Sequence, residues 1–277
     1  MRLGGPVFGE MPDPETWIAR LREQGYRAAY CPLDHRAGED AVRAYAQAAE
    51  AADIVIAEVG AWSNPLSPDE TKRGEGLAHC KAQLALADRI GARCCVNIAG
   101  SRGEIWDGPH PDNFTSETFD SLVQTVREII DAVQPTRTYY TLETMPWMFP
   151  DSPTNYLALL RAVDRKAFAV HLDVVNLIYS PHLYYANAAL IRECFSLLGP
   201  HIKSVHAKDI TLASRLTVHL DDVRPGLGGL DWPVFLAEMN KLPADTPLML
   251  EHLPGQDEYA LAAQHIRTLA HANGIPL

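Results

Sequence analysis

Short runs of β-branched, aromatic and alanine residues alternate along the chain with longer stretches whose apolar positions recur every three or four residues. The first pattern predicts strands and the second amphipathic helices. Strands are expected at residues 3–8, 27–31, 53–59, 93–98, 138–143, 167–173, 201–206 and 247–251. Helices are expected at 14–24, 39–50, from Ser67 or Pro68 to 90, and at 116–133, 153–163, 186–198, 232–240 and 256–272. Asp13 is placed to cap the first helix, with Pro14 at its first position. Eight strand–helix units of roughly 35 residues predict an α/β fold, a single (β/α)8 TIM barrel domain over residues 1–277. A doubly wound sheet is the competitor, and it calls for a glycine-rich phosphate loop after the first strand. The segment GGPVFGE has glycines at 4, 5 and 9, which is not that spacing, and there is no Walker-type lysine motif.

Composition narrows the function classes. The 277 residues are 47% hydrophobic and 21% charged, as in an ordinary globular protein. The formal net charge is -11, and lysine and arginine are scattered. Without a basic stripe to displace counterions, nucleic acid and anionic membranes are not expected partners. The five cysteines are odd in number and form no C-x-x-C pair, so buried reduced thiols are expected rather than a disulfide framework. The N-terminal segment reads as neither a signal peptide nor a span, and the expected compartment is the cytoplasm.

In a barrel, the C-terminal ends of the strands carry the chemistry. The fifth predicted strand ends at Glu143, the sixth at Asp173, the seventh in His206, Lys208 and Asp209, and the eighth at Glu251 and His252. Four consecutive strands thus close with Glu, Asp, His and Glu. Apolar strands ending in carboxylates are costly unless the charge is paired. A shared cation removes that cost; ion pairs along the rim are the alternative. Three carboxylates and one imidazole suit a divalent metal with open positions, Mn²⁺ foremost, or Mg²⁺, Co²⁺, Fe²⁺ or Zn²⁺.

The segments HLDVVN (171–176), SVHAKDI (204–210), PGLGGLDW (225–232) and LMLEHL (248–253) resemble the xylose isomerase-like TIM barrels, a group of sugar isomerases and epimerases. The resemblance implies that Glu143, Asp173, His206 and Glu251 hold the metal. It also implies that Glu143 and Glu251 move protons on opposite faces of a sugar. The activity implied is isomerisation or epimerisation through a metal-stabilised enediolate, with a small carbohydrate as substrate. A homo-oligomer or an accessory subunit is an expected partner.

One position departs from the ketose 3-epimerases. Where they carry a histidine three residues after the metal-binding Asp, this chain has Asn176; His171, two residues before Asp173, either supplies an imidazole from deeper in the barrel or fills the core. The departure brings in a second subgroup, lyases that act on 3-keto-glycosides in the manner of C-glycoside deglycosidases. The stretch TMPWMFPDSP (144–153) offers Trp147 and Phe149 as an apolar wall for such a ligand. Further candidate substrate contacts are His171, Asn176, Lys208, Asn97 and Arg102. Glu58, Asn97 and Asp34 or His35 are set against rim structure, and Arg102 and Trp106 lie in the long loop after the fourth strand, of a length that often serves as a lid. Lys208 is weighed against an ion pair with Asp209, and His252 is expected to point away from Glu251. An endonuclease IV-like nuclease needs more histidine ligands and a basic face; a non-catalytic sugar-binding protein is the remaining class.

Overall fold

The computed structural model describes residues 1–277. Eight parallel strands close a barrel in chain order: β1 (Arg2–Gly4), β2 (Ala28–Tyr30), β3 (Val55–Gly60), β4 (Cys94–Asn97), β5 (Tyr140–Glu143), β6 (Phe168–Leu172), β7 (Ile202–Ala207) and β10 (Pro247–Leu250), which pairs back onto β1. The outer layer is α1 (Pro14–Glu23), α2 (Glu39–Ala51), α3 (Glu70–Ile90), α4 (Ser116–Val133), α5 (Pro153–Val163), α7 (Asn187–Leu198), α8 (Trp232–Met239) and α9 (Gln256–Ala272). The expected (β/α)8 architecture is the observed one.

Every residue of β4, β5, β6 and β10 is buried. One face of each strand fills the barrel and the other packs under helices, so the strands read as unbroken apolar runs rather than as alternation. The main core joins 63 buried residues reaching from Met1 to Ala270. Helix starts follow local chemistry. The Asp13 carboxylate accepts from the Thr16 amide at 2.7 Å, with Pro14 in the first turn, as expected. Asp69 caps α3, so that helix opens at Glu70 and not at Ser67 or Pro68. No helix is long and apolar enough to cross a membrane.

Three segments differ from the sequence expectation. The first strand stops at Gly4 rather than residue 8, because Pro6 has no amide hydrogen to continue the ladder. The segment between β7 and α8, read as a loop, forms an antiparallel hairpin, β8 (Asp209–Ala213) and β9 (His219–Val223), with Asp209 opposite Val223. Its second strand, largely polar and with no buried residue, gave no apolar signal. A short helix, α6 (Pro181–Tyr185), precedes α7.

Candidate metal centre

β5, β6, β7 and β10 are adjacent in the barrel, and their C-terminal ends meet at its mouth. Glu143 is the last residue of β5, Asp173 follows β6, His206 lies in β7 and Glu251 follows β10. One side-chain donor from each of these four lies within 4.8 Å of the others. His206 Nδ1 stands 2.7 Å from Glu251 Oε1, 3.2 Å from Glu143 Oε1 and 3.5 Å from Asp173 Oδ2. The Thr144 hydroxyl donates to the Asp173 carbonyl at 2.5 Å and accepts from its amide at 3.0 Å, tying the ends of β5 and β6 together.

Lys208 enters the same cluster. Its ammonium is buried, 2.8 Å from Asp173 Oδ2 and 3.6 Å from Glu143 Oε1, and it also contacts Glu251 Oε1. It does not pair with Asp209. That carboxylate instead accepts from the amides of Ile210, Gly226, Gly228 and Leu230 and from the Trp232 indole. The H-x-K-D and PGLGGLDW segments therefore form one device. Alternation along β7 sends His206 and Lys208 into the mouth, and Asp209 ties down the loop that follows the hairpin. Gly228 is required there, since a Cβ would fall 2.2 Å from Asp209 Oδ1.

Burial penalises every charge in the cluster, and neighbours decide the outcome. Burial and repulsion from Glu251 raise the Glu143 carboxyl, against the pull of His206. Burial would raise Glu251 as well, but His206 and Lys208 outweigh it and hold the group down to about 2. Asp173 is held well below its ordinary value, Lys208 and His206 overcoming its burial. His206 and Lys208 are both raised, because the carboxylates around them outweigh their own desolvation.

The donor set fits a divalent cation. Asp173 Oδ2 and Glu251 Oε1 are buried, and the side chains that face them are Lys208 and His206, which the three carboxylates share. Lys208 together with one divalent ion would balance the three carboxylates with His206 neutral. Without that ion, three carboxylates share one lysine and one imidazolium.

A sealed layer lies beneath. Glu58 on β3, His171 on β6 and Ser204 on β7 are all buried. The Ser204 hydroxyl donates to Glu58 Oε1 at 2.5 Å. Glu58 Oε2 stands 3.4 Å from His206 Nε2, and Glu58 Oε1 3.6 Å from His171 Nδ1. The two imidazoles meet edge to face at 4.1 Å. Burial and the neighbouring His206 lower the His171 imidazole to about 4, so it is neutral at pH 7.

Above the cluster opens a cavity of about 590 Å³ lined by Trp62, Trp106, Trp147, Tyr30 and Tyr259, with Glu143, Asn176, Glu251 and His252 at its polar end. The chain's other two tryptophans, Trp17 and Trp232, are buried in the core. Trp147 donates from Nε1 to the Asp107 carbonyl at 2.6 Å, which fixes its ring. Trp62 lies against Gly60, where a Cβ would meet its Nε1 at 2.4 Å.

The expected site residues thus divide. Glu143, Asp173, His206, Glu251, Asn176, Lys208 and Trp147 converge at the mouth. Asn176 donates from Nδ2 to Glu143 Oε1 at 3.0 Å and from its amide to Asp173 Oδ1. His171 is fully buried under His206 and does not reach the cavity wall. Asn97 is also fully buried, bonded to both the amide and the carbonyl of Ser63. Arg102 is engaged with the Leu66 carbonyl at 2.7 Å and does not line the cavity. Phe149 packs on Phe114 and Phe119 behind the rim. His35 pairs edge to face with His79, and the Asp34 carboxylate accepts from the Arg36 amide; neither lines the cavity. His252 is a correction: it lines the cavity, because β10 ends at Leu250 and a left-handed turn at His252 (φ 58°) breaks the alternation. Sequence reasoning missed Trp62, Tyr30 and Tyr259. Tyr30 lies one residue from the end of a predicted strand and carries that signal; Trp62 and Tyr259 sit in a loop and a helix that nothing local ties to the mouth.

A closed (β/α)8 barrel with a buried acid–histidine cluster at the C-terminal mouth is the class these features define. The chain belongs to the family described as xylose isomerase-like TIM barrel, which matches residues 12–269. Solved structures share the fold at low identity. A D-tagatose 3-epimerase-like protein is 16% identical, with 99% of this chain and 98% of that chain covered and a TM-score of 0.72. The 3-keto-D-glucoside 4-epimerase YcjR of E. coli is 14% identical, with 97% and 99% covered and a TM-score of 0.68. A xylose isomerase-like TIM barrel protein from Mycobacterium smegmatis, solved in complex with magnesium, is 15% identical, with 95% and 89% covered and a TM-score of 0.66. No curated protein sequence matches the chain.

Proposed function

We propose that this chain is a divalent-metal-dependent sugar isomerase or epimerase that removes and returns a proton on the carbon beside a carbonyl. The observation that carries the reading is the convergence of three carboxylates and one imidazole, from four adjacent strands, in one largely buried cluster. Glu143, Asp173, His206 and Glu251 would hold the cation, with Mn²⁺ preferred for an oxygen-rich set. When bound, it withdraws electron density from the sugar's carbonyl and hydroxyl oxygens and offsets the charge that deprotonation leaves.

The chain's own groups do the rest. Glu143 is pushed up and Glu251 held down, the separation expected of an acid and its partner base. Glu251 takes the proton from one side of the carbon, and Glu143, oriented by Asn176, returns one from the other. Lys208 supplies a positive charge for a substrate oxygen once a metal relieves its carboxylates. Trp147 stacks on the sugar face. Structural neighbours named as epimerases of ketoses and keto-glucosides support a small carbohydrate as substrate.

A lyase reading on 3-keto-glycosides uses the same first step and is favoured by one observation, the wall of three tryptophans above the carboxylates. An aryl aglycone would occupy that wall and depart after deprotonation. The test begins with elemental analysis of protein purified without chelator, beside an Asp173→Asn, Glu251→Gln double variant. About one metal per chain, lost in the variant, supports the site. Solvent deuterium entering a free ketose then supports the isomerase, and aglycone release from a keto-glycoside supports the lyase. Absence of metal after incubation with Mn²⁺ overturns both.

A further inference from the structure

The layer beneath the mouth contains a carboxylate that the proposed reaction does not use. Glu58 is 1% exposed and is ringed by Ser204, His206 and His171, with no lysine or arginine beside it. Ser204 occupies Oε1 at 2.5 Å. Oε2 has no hydrogen-bond partner, and His206 Nε2 has none either. These two orphaned atoms face each other at 3.4 Å. The gap is a few tenths of an ångström beyond a normal N–H···O bond, and catalytic contacts of this kind tighten on loading. On its other side, His206 presents Nδ1 to Glu143, Asp173 and Glu251. The His171 ring, edge-on at 4.1 Å, limits rotation of the imidazole.

We propose that Glu58 is a positioning residue for the metal centre: it accepts a hydrogen bond from the Nε2–H of His206 and so leaves the Nδ1 lone pair aimed at the cation. The inference rests on the metal-site reading above. A neutral imidazole carries one N–H, and which nitrogen keeps it depends on the acceptor facing the other side. A carboxylate behind a ligating histidine fixes that tautomer and raises the basicity of the ligating nitrogen. Ser204 holds Oε1, so the carboxylate turns Oε2 toward His206. The carboxylate on β3 thereby acts on the mouth from one layer below, without touching the cation or the sugar.

The test compares Glu58→Gln and Glu58→Ala with the unchanged chain by calorimetric titration with Mn²⁺. Nitrogen-15 spectra of histidine-labelled, Zn²⁺-loaded protein report the His206 tautomer. Mn²⁺ affinity is expected to fall ~10–100-fold in Glu58→Ala. A smaller fall is expected in Glu58→Gln, whose amide oxygen still accepts a hydrogen bond but carries no charge. The unchanged protein should show His206 protonated at Nε2 when loaded, and Glu58→Ala should lose that preference. If the unchanged chain binds Mn²⁺ and both variants bind it equally well, or if loaded His206 carries its proton on Nδ1, the positioning role is overturned while the metal site stands. If the unchanged chain binds no Mn²⁺, the site reading is overturned and this role with it. A merely structural Glu58 would change melting temperature without moving the tautomer.

Discussion

The two ends of the barrel use carboxylates in opposite ways. At the N-terminal end, Asp53 and Asp245 are more than half exposed, and each pairs with Arg2; Asp53 also contacts Arg27. Each of these acids has an arginine and water. At the C-terminal end, Glu143, Asp173 and Glu251 converge in a largely buried place with one lysine and one histidine among them. Exposed pairs contribute little because water already solvates both partners. Buried carboxylates without full partners are costly, and the fold tolerates them only where something else supplies charge. The contrast shows that the acid count at a strand end says less than the depth at which the acids sit.

The largest effect should separate the ends by chemistry. Glu251→Gln is expected to slow deuterium exchange into a ketose substrate ~10²–10⁴-fold, the range for loss of a general acid or base. Neutralising an acid at the opposite end should leave that rate unchanged. Next, Lys208→Met removes the one ammonium from the mouth. Breaking a buried pair on one side costs ~3–5 kcal/mol. Denaturant unfolding with chelator should show that loss, and Mn²⁺ should restore part of it.

Acid should also strike the mouth first. The His171 imidazole falls from its ordinary 6.5 to about 4 in the folded chain, so the unfolded chain takes up its proton first. Its contribution is present above pH 6.5 and is lost as pH falls toward 4, on the order of 3 kcal/mol in all. Glu251, lowered from 4.5 to about 2, adds a second loss over that lower window. A series of unfolding curves from pH 7 to 3 without metal checks this, and His171→Asn should flatten the upper part. The smallest effect belongs to the N-terminal end. Asp245→Asn removes the 2.7 Å contact with Arg2 and should cost no more than about 1 kcal/mol, less in high salt. A larger cost would mean that the two ends are not as different as their exposure indicates.

Most of the barrel was legible because its signals are local. Apolar runs bounded by proline, glycine and capping aspartates mark the eight strand–helix units, and capping by Asp13 acts within four residues. The β8–β9 hairpin was not legible, since its pairing is expressed in backbone bonds rather than in an apolar face. Phe149 looked as good a wall residue as Trp147, but the turn between them sends Phe149 back onto Phe119.

Local sequence is enough to define the fold class and the four polar strand ends, Glu143, Asp173, His206 and Glu251. Each of these follows from the apolar run of its own segment and from parallel strands ending at the same side. Which residues share space is set by the closed barrel. Lys208 turns to the carboxylates and not to its neighbour Asp209, Glu58 lies under His206 and not on the rim, and tryptophans from three loops close over one cavity. Closure of the barrel makes those contacts between residues far apart in the chain, and no local pattern encodes them.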